Sequence, residues 1–206
     1  MIWYACYGSN MDLQRFLIYL QGGQLEVNGV MKPYRRCDDD FEEPGQTEPY
    51  VIHRRFYFAK ESGTWDNHGV GFISTKKDMR SLTYARLYLI SEIQFKHLFA
   101  AENGRRTTNI DFAVIDNNKS QDFDYNFYNR IIQLEDNYKG HPVMTFTNKE
   151  ILAPNNPMGR YLQLISDGLE AVHQLNANVI AAYFKKSNVK MSKSSIHKIL
   201  TAKKSS

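Results

Sequence analysis

Ile2-Trp3-Tyr4-Ala5-Cys6-Tyr7-Gly8-Ser9-Asn10 is the stretch on which the reading of this chain turns. An unbroken apolar and aromatic run cut off by Gly8-Ser9-Asn10 describes a buried strand entering a tight turn. From Met11 the period changes: Leu13, Phe16, Leu17 and Leu20 fall at i, i+3, i+4 and i+7, one face of a helix that Gly22-Gly23 ends. The chain opens on strand, glycine-containing turn, helix.

Working outward, the charged and aperiodic residues 35 to 49 predict a loop between a strand around Val27 to Tyr34 and another around Tyr50 to Lys60. Gly69 to Ser74 and Tyr84 to Ile90 read as further strands, the second by its alternation. Ser91 to Gly104 is the best-marked helix, with Ser91 and Gln94 as a capping box and Gly104 as a C-terminal stop. Strands are then expected near Ile110 to Ile115 and Met144 to Phe146. Asn156-Pro157 supplies an N-cap and first-turn proline for a helix to about Leu175, and helical patterns follow at Asn178 to Lys186 and Ser192 to Ala202. Strands outnumber helices in the first three quarters without regular alternation, which predicts an α+β fold with a curved or barrel-like mixed sheet.

The 206 residues, 42% of them hydrophobic, suffice for one domain with an appendage. The net charge of +4 points to an anionic partner only until its location is read. Lys185 to Ser206 holds seven lysines and no acid, so removing that tail leaves a body at −3. The N-terminus lacks the pattern of a secretory signal, and no apolar run approaches the roughly 20 residues that span a bilayer. Cys6 and Cys37 are isolated, and the six histidines stand singly, so neither a redox pair nor a metal site is expected. A cytoplasmic protein with reduced thiols is the default. The acid cluster Asp38, Asp39, Asp40, Glu42 and Glu43 has no glycine to fold its carboxylates inward, and a solvated loop is preferred over a cation site.

Three places could carry chemistry. The turn at Tyr7-Gly8-Ser9-Asn10 would present consecutive N–H groups at a helix start, suited to a carboxylate or phosphate, with an ordinary N-cap at Ser9 or Asn10 as the plain alternative. Glu102 continues the apolar series Phe95, Leu98 and Phe99. A carboxylate on a core-facing stripe in the last helical turn should have a raised pKa and could serve as a general base. The alternative is a frayed end paired with Arg105 or Arg106. In Arg160 to Val172, Tyr161 and Gly168 share a face; the glycine marks close backbone packing, and Tyr161 could direct its hydroxyl into a neighbouring pocket.

Together these residues resemble a known family. Tyr7-Gly8-Ser9-Asn10-Met11 after an N-terminal strand, the glutamate of Leu98-Phe99-Ala100-Ala101-Glu102-Asn103-Gly104, and Tyr161 to Glu170 stand in the order seen in γ-glutamylcyclotransferases. The plant avirulence-induced proteins and aminoglycoside-biosynthesis cyclotransferases share that fold. The resemblance covers residues 1 to 175, leaving 176 to 206 as a helical basic extension. It implies a small closed or nearly closed mixed β-barrel with helices around it and a pocket at one end. It implies release of 5-oxoproline from a γ-glutamyl amine or peptide, as in glutathione metabolism, with neither cofactor nor metal. Tyr7, Gly8, Ser9, Asn10 and Tyr161 would bind the small-molecule substrate, and Glu102 would act as base and then acid. The chain departs from the family at Arg105-Arg106-Thr107-Thr108-Asn109, where members often carry an aromatic residue, on the leaving-group side.

Two other classes compete. The last three helical patterns superficially resemble a helix-turn-helix with a basic second helix, but the tail has few planar side chains to read bases, and nucleic acid is not the partner expected. A silent member of the fold could bind a γ-glutamyl metabolite without turnover. Nothing in the residues speaks to oligomeric state.

Overall fold

A computed structural model describes residues 1–27 and 29–202. The opening unit forms as its pattern predicts. β1 (Ile2–Cys6) is buried along its whole length, a short 3-10 turn spans Ser9–Met11, and α1 runs Leu13–Gln21. The N-cap of α1 is Asp12, whose Oδ1 accepts from Arg15 N–H at 2.8 Å, so Ser9 and Asn10 are free of capping duty. Gly22 ends the helix at φ 73°.

Downstream, β2 (Gly23–Val27) and β3 (Val30–Tyr34) form a hairpin where one strand was expected. The expected strand at 50–60 is two, β4 (Thr47–Ile52) and β5 (Arg54–Ser62), because the chain passes from one sheet to another at His53. Then come β6 (His68–Lys77), β7 (Thr83–Ile90) and α2 (Glu92–Glu102), the last with its Ser91/Gln94 capping box complete. The strand expected at 110–115 is a helix, α3 (Phe112–Asn118). Asp111 accepts from the N–H groups of Ala113 and Val114 and so nucleates helix where the apolar run alone suggested strand. β8 (Ser120–Asp122), β9 (Arg130–Tyr138) and β10 (His141–Thr147) follow.

α4 runs Gly159–His173. Asn156 does not cap it: Met158 stands at the N-cap, and the Asn156 side chain instead accepts from Lys190 N–H at 2.9 Å. α5 (Ala177–Lys186) and α6 (Lys193–Thr201) complete the chain. Ile180, Phe184, Val189 and Ile196 are buried, and the Asn188 amide bonds both the N–H and the carbonyl of Phe58 in β5. The apolar faces of the tail helices are thus spent on the body.

The main sheet has the order β4-β7-β1-β10-β9-β8 and is antiparallel except where β1 runs parallel to β10. The expected barrel does not close. Among the described residues β5 and β6 share a ladder only with each other, Ala59 adding one isolated bridge to Pro154, and two threonines join that pair to the main sheet in place of a ladder. Thr147 Oγ1 of β10 donates to the Ile73 carbonyl at 2.7 Å and accepts from its N–H at 3.2 Å, and Thr83 Oγ1 of β7 donates to the Arg54 carbonyl at 2.6 Å. The architecture is an open mixed α+β sheet with six helices among the described residues.

On the face of β1 that carries Tyr4, Phe16 of α1 and Phe95 of α2 close the core with Tyr88 and Phe146. α4 crosses the 3-10 turn at Gly168, where a Cβ would lie 2.5 Å from the Met11 Cβ and 2.9 Å from its carbonyl carbon. The two backbones touch because Gly168 has no side chain. Gly168→Ala is therefore expected to lower stability by about 1–3 kcal/mol, the usual cost of overpacking. Gly159→Ala, whose Cβ would meet Ile199 at an ordinary 3.6 Å, should stay within about 1 kcal/mol of wild type. Denaturant melts of both variants check the pair; equal effects would contradict the backbone contact.

Candidate functional site

A cavity of about 360 Å³ lies where the end of β1, the following turn, α1, the end of α2, and α4 converge. Tyr7, Gly8, Ser9, Asn10, Glu102 and Tyr161 all border it. Local folding fixes each one. The carbonyls of Gly8 and Ser9 accept from Met11 and Asp12 N–H, and the Asn10 carbonyl accepts from the Tyr88 hydroxyl at 2.7 Å. All three loop carbonyls are engaged, while the N–H groups of Gly8, Ser9 and Asn10 take no part in these bonds. This is the polarity that an anion requires.

Asn10 reaches across the cavity and donates through Nδ2 to Glu102 Oε1 at 2.7 Å. Burial pushes the Glu102 pKa above the ordinary carboxylate value; Arg15, Asn10 and Tyr19 pull the other way without cancelling it. Glu102 is the last residue of α2, with Asn103 as its C-cap. It does not meet the arginines that follow. Arg105 instead lies over the Tyr125 ring, 4.2 Å from its centroid.

Tyr7 and Tyr161 play framing parts. Tyr7 donates its hydroxyl to the Phe146 carbonyl at 2.6 Å, and Tyr161 accepts from Gly71 N–H at 3.0 Å. A Cβ on Gly8 would lie 3.2 Å from the Tyr161 hydroxyl, so the glycine keeps the loop close against it. Cys6 also borders the cavity, but burial pushes its thiol up to about 12, so at neutral pH it is protonated and offers no nucleophile.

Sequence reasoning missed Arg15 and Tyr19. They stand four residues apart on α1, beside its apolar stripe, and reach the cavity together. Arg15 is 5% exposed, donates from Nε to Ser9 Oγ at 2.9 Å and lies over the Trp65 ring. Its Nη1 and the Oδ1 of Asn10 are two of five buried side-chain polar atoms without a partner among the described residues, so unmet hydrogen-bonding capacity gathers here. A polar residue next to Phe16 and Leu20 carries no mark of burial in the sequence; only the closure of α1 on the turn produces it. The acid loop is spoken for otherwise. Asp38 pairs with Arg35, Asp40 accepts from Gln94 Nε2, and no group of His, Cys, Asp or Glu suited to a metal ion occurs among the described residues.

No family model matches the chain. "Histone deacetylase 5" of Arabidopsis thaliana is 36% identical over 106 residues, half of this chain and 15% of that protein's length. Among solved structures, an uncharacterized protein from Homo sapiens superposes with a TM-score of 0.52 at 11% identity, over 92% of this chain and 88% of the other. "Gamma-glutamyl cyclotransferase" superposes with a TM-score of 0.48 at 10% identity, over 93% and 89%. YkqA from Bacillus subtilis does so with 0.48 at 16%, over 91% of this chain and 54% of its own. The likeness to the human protein is one of fold. No helix among the described residues is long and apolar enough to cross a membrane.

The Arg15 charge works against the burial that raises the Glu102 pKa, so its removal has a definite sign. In Arg15→Met the Glu102 pKa should rise further, measured by carboxyl-carbon NMR titration, while Arg15→Lys should leave it nearer wild type. An unchanged or lower pKa in Arg15→Met would show that the two groups are not coupled.

Proposed function

We propose that the protein is a cyclotransferase that releases 5-oxoproline from a γ-glutamyl amine or γ-glutamyl peptide. The observation that carries this reading is the Glu102 carboxylate, made more basic by burial and tied by Asn10 to the Gly8–Asn10 loop that borders the same cavity. The motif resemblance at Tyr7 to Met11, Glu102 and Tyr161 supports the same chemistry.

In this reading the substrate α-carboxylate sits on the Gly8, Ser9 and Asn10 N–H groups, which brings its α-ammonium toward Glu102. Glu102 takes a proton, and the freed amine attacks the γ-carbonyl of its own chain to close a five-membered lactam. Holding both reacting groups in one pocket supplies the orientation such a closure needs. The γ-amide C–N bond then breaks. The two protons given up by the ammonium end on the leaving nitrogen, which departs as an ammonium, so Glu102 returns to its starting state. Tyr161 and Tyr7 border the ring, and no water nucleophile takes part in the balance.

Turnover should rise with pH along an acid limb as Glu102 deprotonates. Because its pKa is raised, the midpoint of that limb should lie above the ordinary 4.5, and Arg15→Met should move it higher still. Glu102→Gln keeps shape and removes the base, and it is expected to cut 5-oxoproline release by about 10²–10⁴-fold, the usual worth of a general base, with substrate binding retained. Full turnover in Glu102→Gln would refute the assignment. Binding of a γ-glutamyl amide with no turnover in the unaltered protein would make it a metabolite-binding member of the fold.

A further inference from the structure

Past Glu102 the chain turns on Gly104, at a left-handed φ of 65°, and Arg105 and Arg106 follow. Both border a second cavity of about 470 Å³. It shares Tyr19, Tyr34 and Ala101 with the central cavity and so adjoins it on the flank where Tyr19 and Ala101 stand next to Glu102. Its remaining lining groups are Arg35 and His97.

The charges divide clearly. Arg35 is neutralised by its ion pair with Asp38. Burial lowers the His97 pKa below its ordinary value, and its Nε2 lies 2.9 Å from the Tyr19 carbonyl, so it is a neutral donor there at neutral pH. Arg105 is stacked over Tyr125, and among the described residues neither Arg105 nor Arg106 has a carboxylate within 4.0 Å. Asp39 borders a separate hollow with Arg106 but lies beyond ion-pair distance of it. Two guanidinium groups thus border this second cavity without a counter-charge within 4.0 Å.

Resting on the cyclotransferase reading, we infer that this annex receives the leaving group and that the leaving amine carries two acid groups, as an acidic amino acid does. A planar guanidinium matches a carboxylate with two parallel hydrogen bonds, so two unpaired arginines suit two carboxylates. A neutral amine would leave both unanswered, and a cationic one would be repelled.

The test compares the wild type with R105Q/R106Q on γ-glutamyl-glutamate, γ-glutamyl-glutamine and γ-glutamyl-methylamide at low ionic strength. The glutamate dipeptide should exceed the glutamine dipeptide about tenfold in kcat/KM, the worth of one charge-assisted contact. That margin should shrink with salt and fall to near one in R105Q/R106Q, with thermal melts confirming that the variant is folded. A wild-type ratio of one, or a ratio that R105Q/R106Q leaves untouched, overturns the inference even though substrates turn over. Absence of turnover on all three removes the cyclotransferase reading by itself, and calorimetric binding of the two dipeptides then decides the annex. A preference for γ-glutamyl-glutamate that R105Q/R106Q abolishes upholds it; equal binding overturns it.

Discussion

The turn at Gly8 to Met11 is held by one neighbouring backbone and three side chains, and the geometry of the site depends on that clamp. α4 presses on it where Gly168 meets Met11 without an intervening side chain. Tyr88 of β7 holds the Asn10 carbonyl, and Arg86 of the same strand donates to the Met11 carbonyl at 3.2 Å. From the opposite side, Glu102 accepts from the Asn10 side chain. With the Asn10 and Met11 carbonyls held by these side chains and those of Gly8 and Ser9 by the turn's own N–H groups, the loop is organised before a ligand arrives. Since interiors pack at near-crystal density, a shift at Gly168 would be transmitted to Asn10 and so to Glu102.

The second constraint is electrostatic. Glu102 and Arg15 both occupy a region where charge is costly, and neither is matched in a simple ion pair. Arg15 bonds Ser9 and faces Trp65, while Glu102 bonds Asn10. The guanidinium therefore moderates the carboxylate pKa without clamping it, which leaves Glu102 able to exchange a proton. A direct bidentate pair would hold Glu102 ionised and deprive it of basicity. The cavity walls at Tyr19, Trp65, Tyr128 and Tyr161 are aromatic, and the three tyrosines bring hydroxyls as well as apolar ring surface.

Where a signal is local, the sequence carries it. The strand, turn and helix of residues 2–21, the Ser91/Gln94 capping box and the packing role of Gly168 all follow from periodicity, cap chemistry or the absence of a side chain. Glu102 is legible because a carboxylate breaks an otherwise apolar stripe. Errors arise where two local signals compete or where the deciding contact is distant. Asp111 overrides the strand-like run Ile110 to Ile115 by capping a helix. β9 escapes notice because Glu135 and Asp136 interrupt its apolar alternation, and pairing with β10 decides it. The open sheet rests on Thr147 and Thr83, whose cross-links no pattern announces. Arg15 and Tyr19 look like solvent-facing residues until the tertiary fold closes over them.

The net charge of +4, which first pointed toward a polyanionic partner, belongs to a tail whose helices are docked on the body through Phe184, Val189 and Ile196. The cations that bear on the site are a different set: Arg15 inside it, and Arg105 and Arg106 beside it. The most direct test of the account is a crystal structure of the protein soaked with 5-oxoproline. The predicted result is ring density in the central cavity, with its carboxylate on the Gly8 to Asn10 N–H groups and its lactam nitrogen against Glu102. A cavity left empty at saturating ligand, or a ring bound with Glu102 turned away from it, would contradict the account.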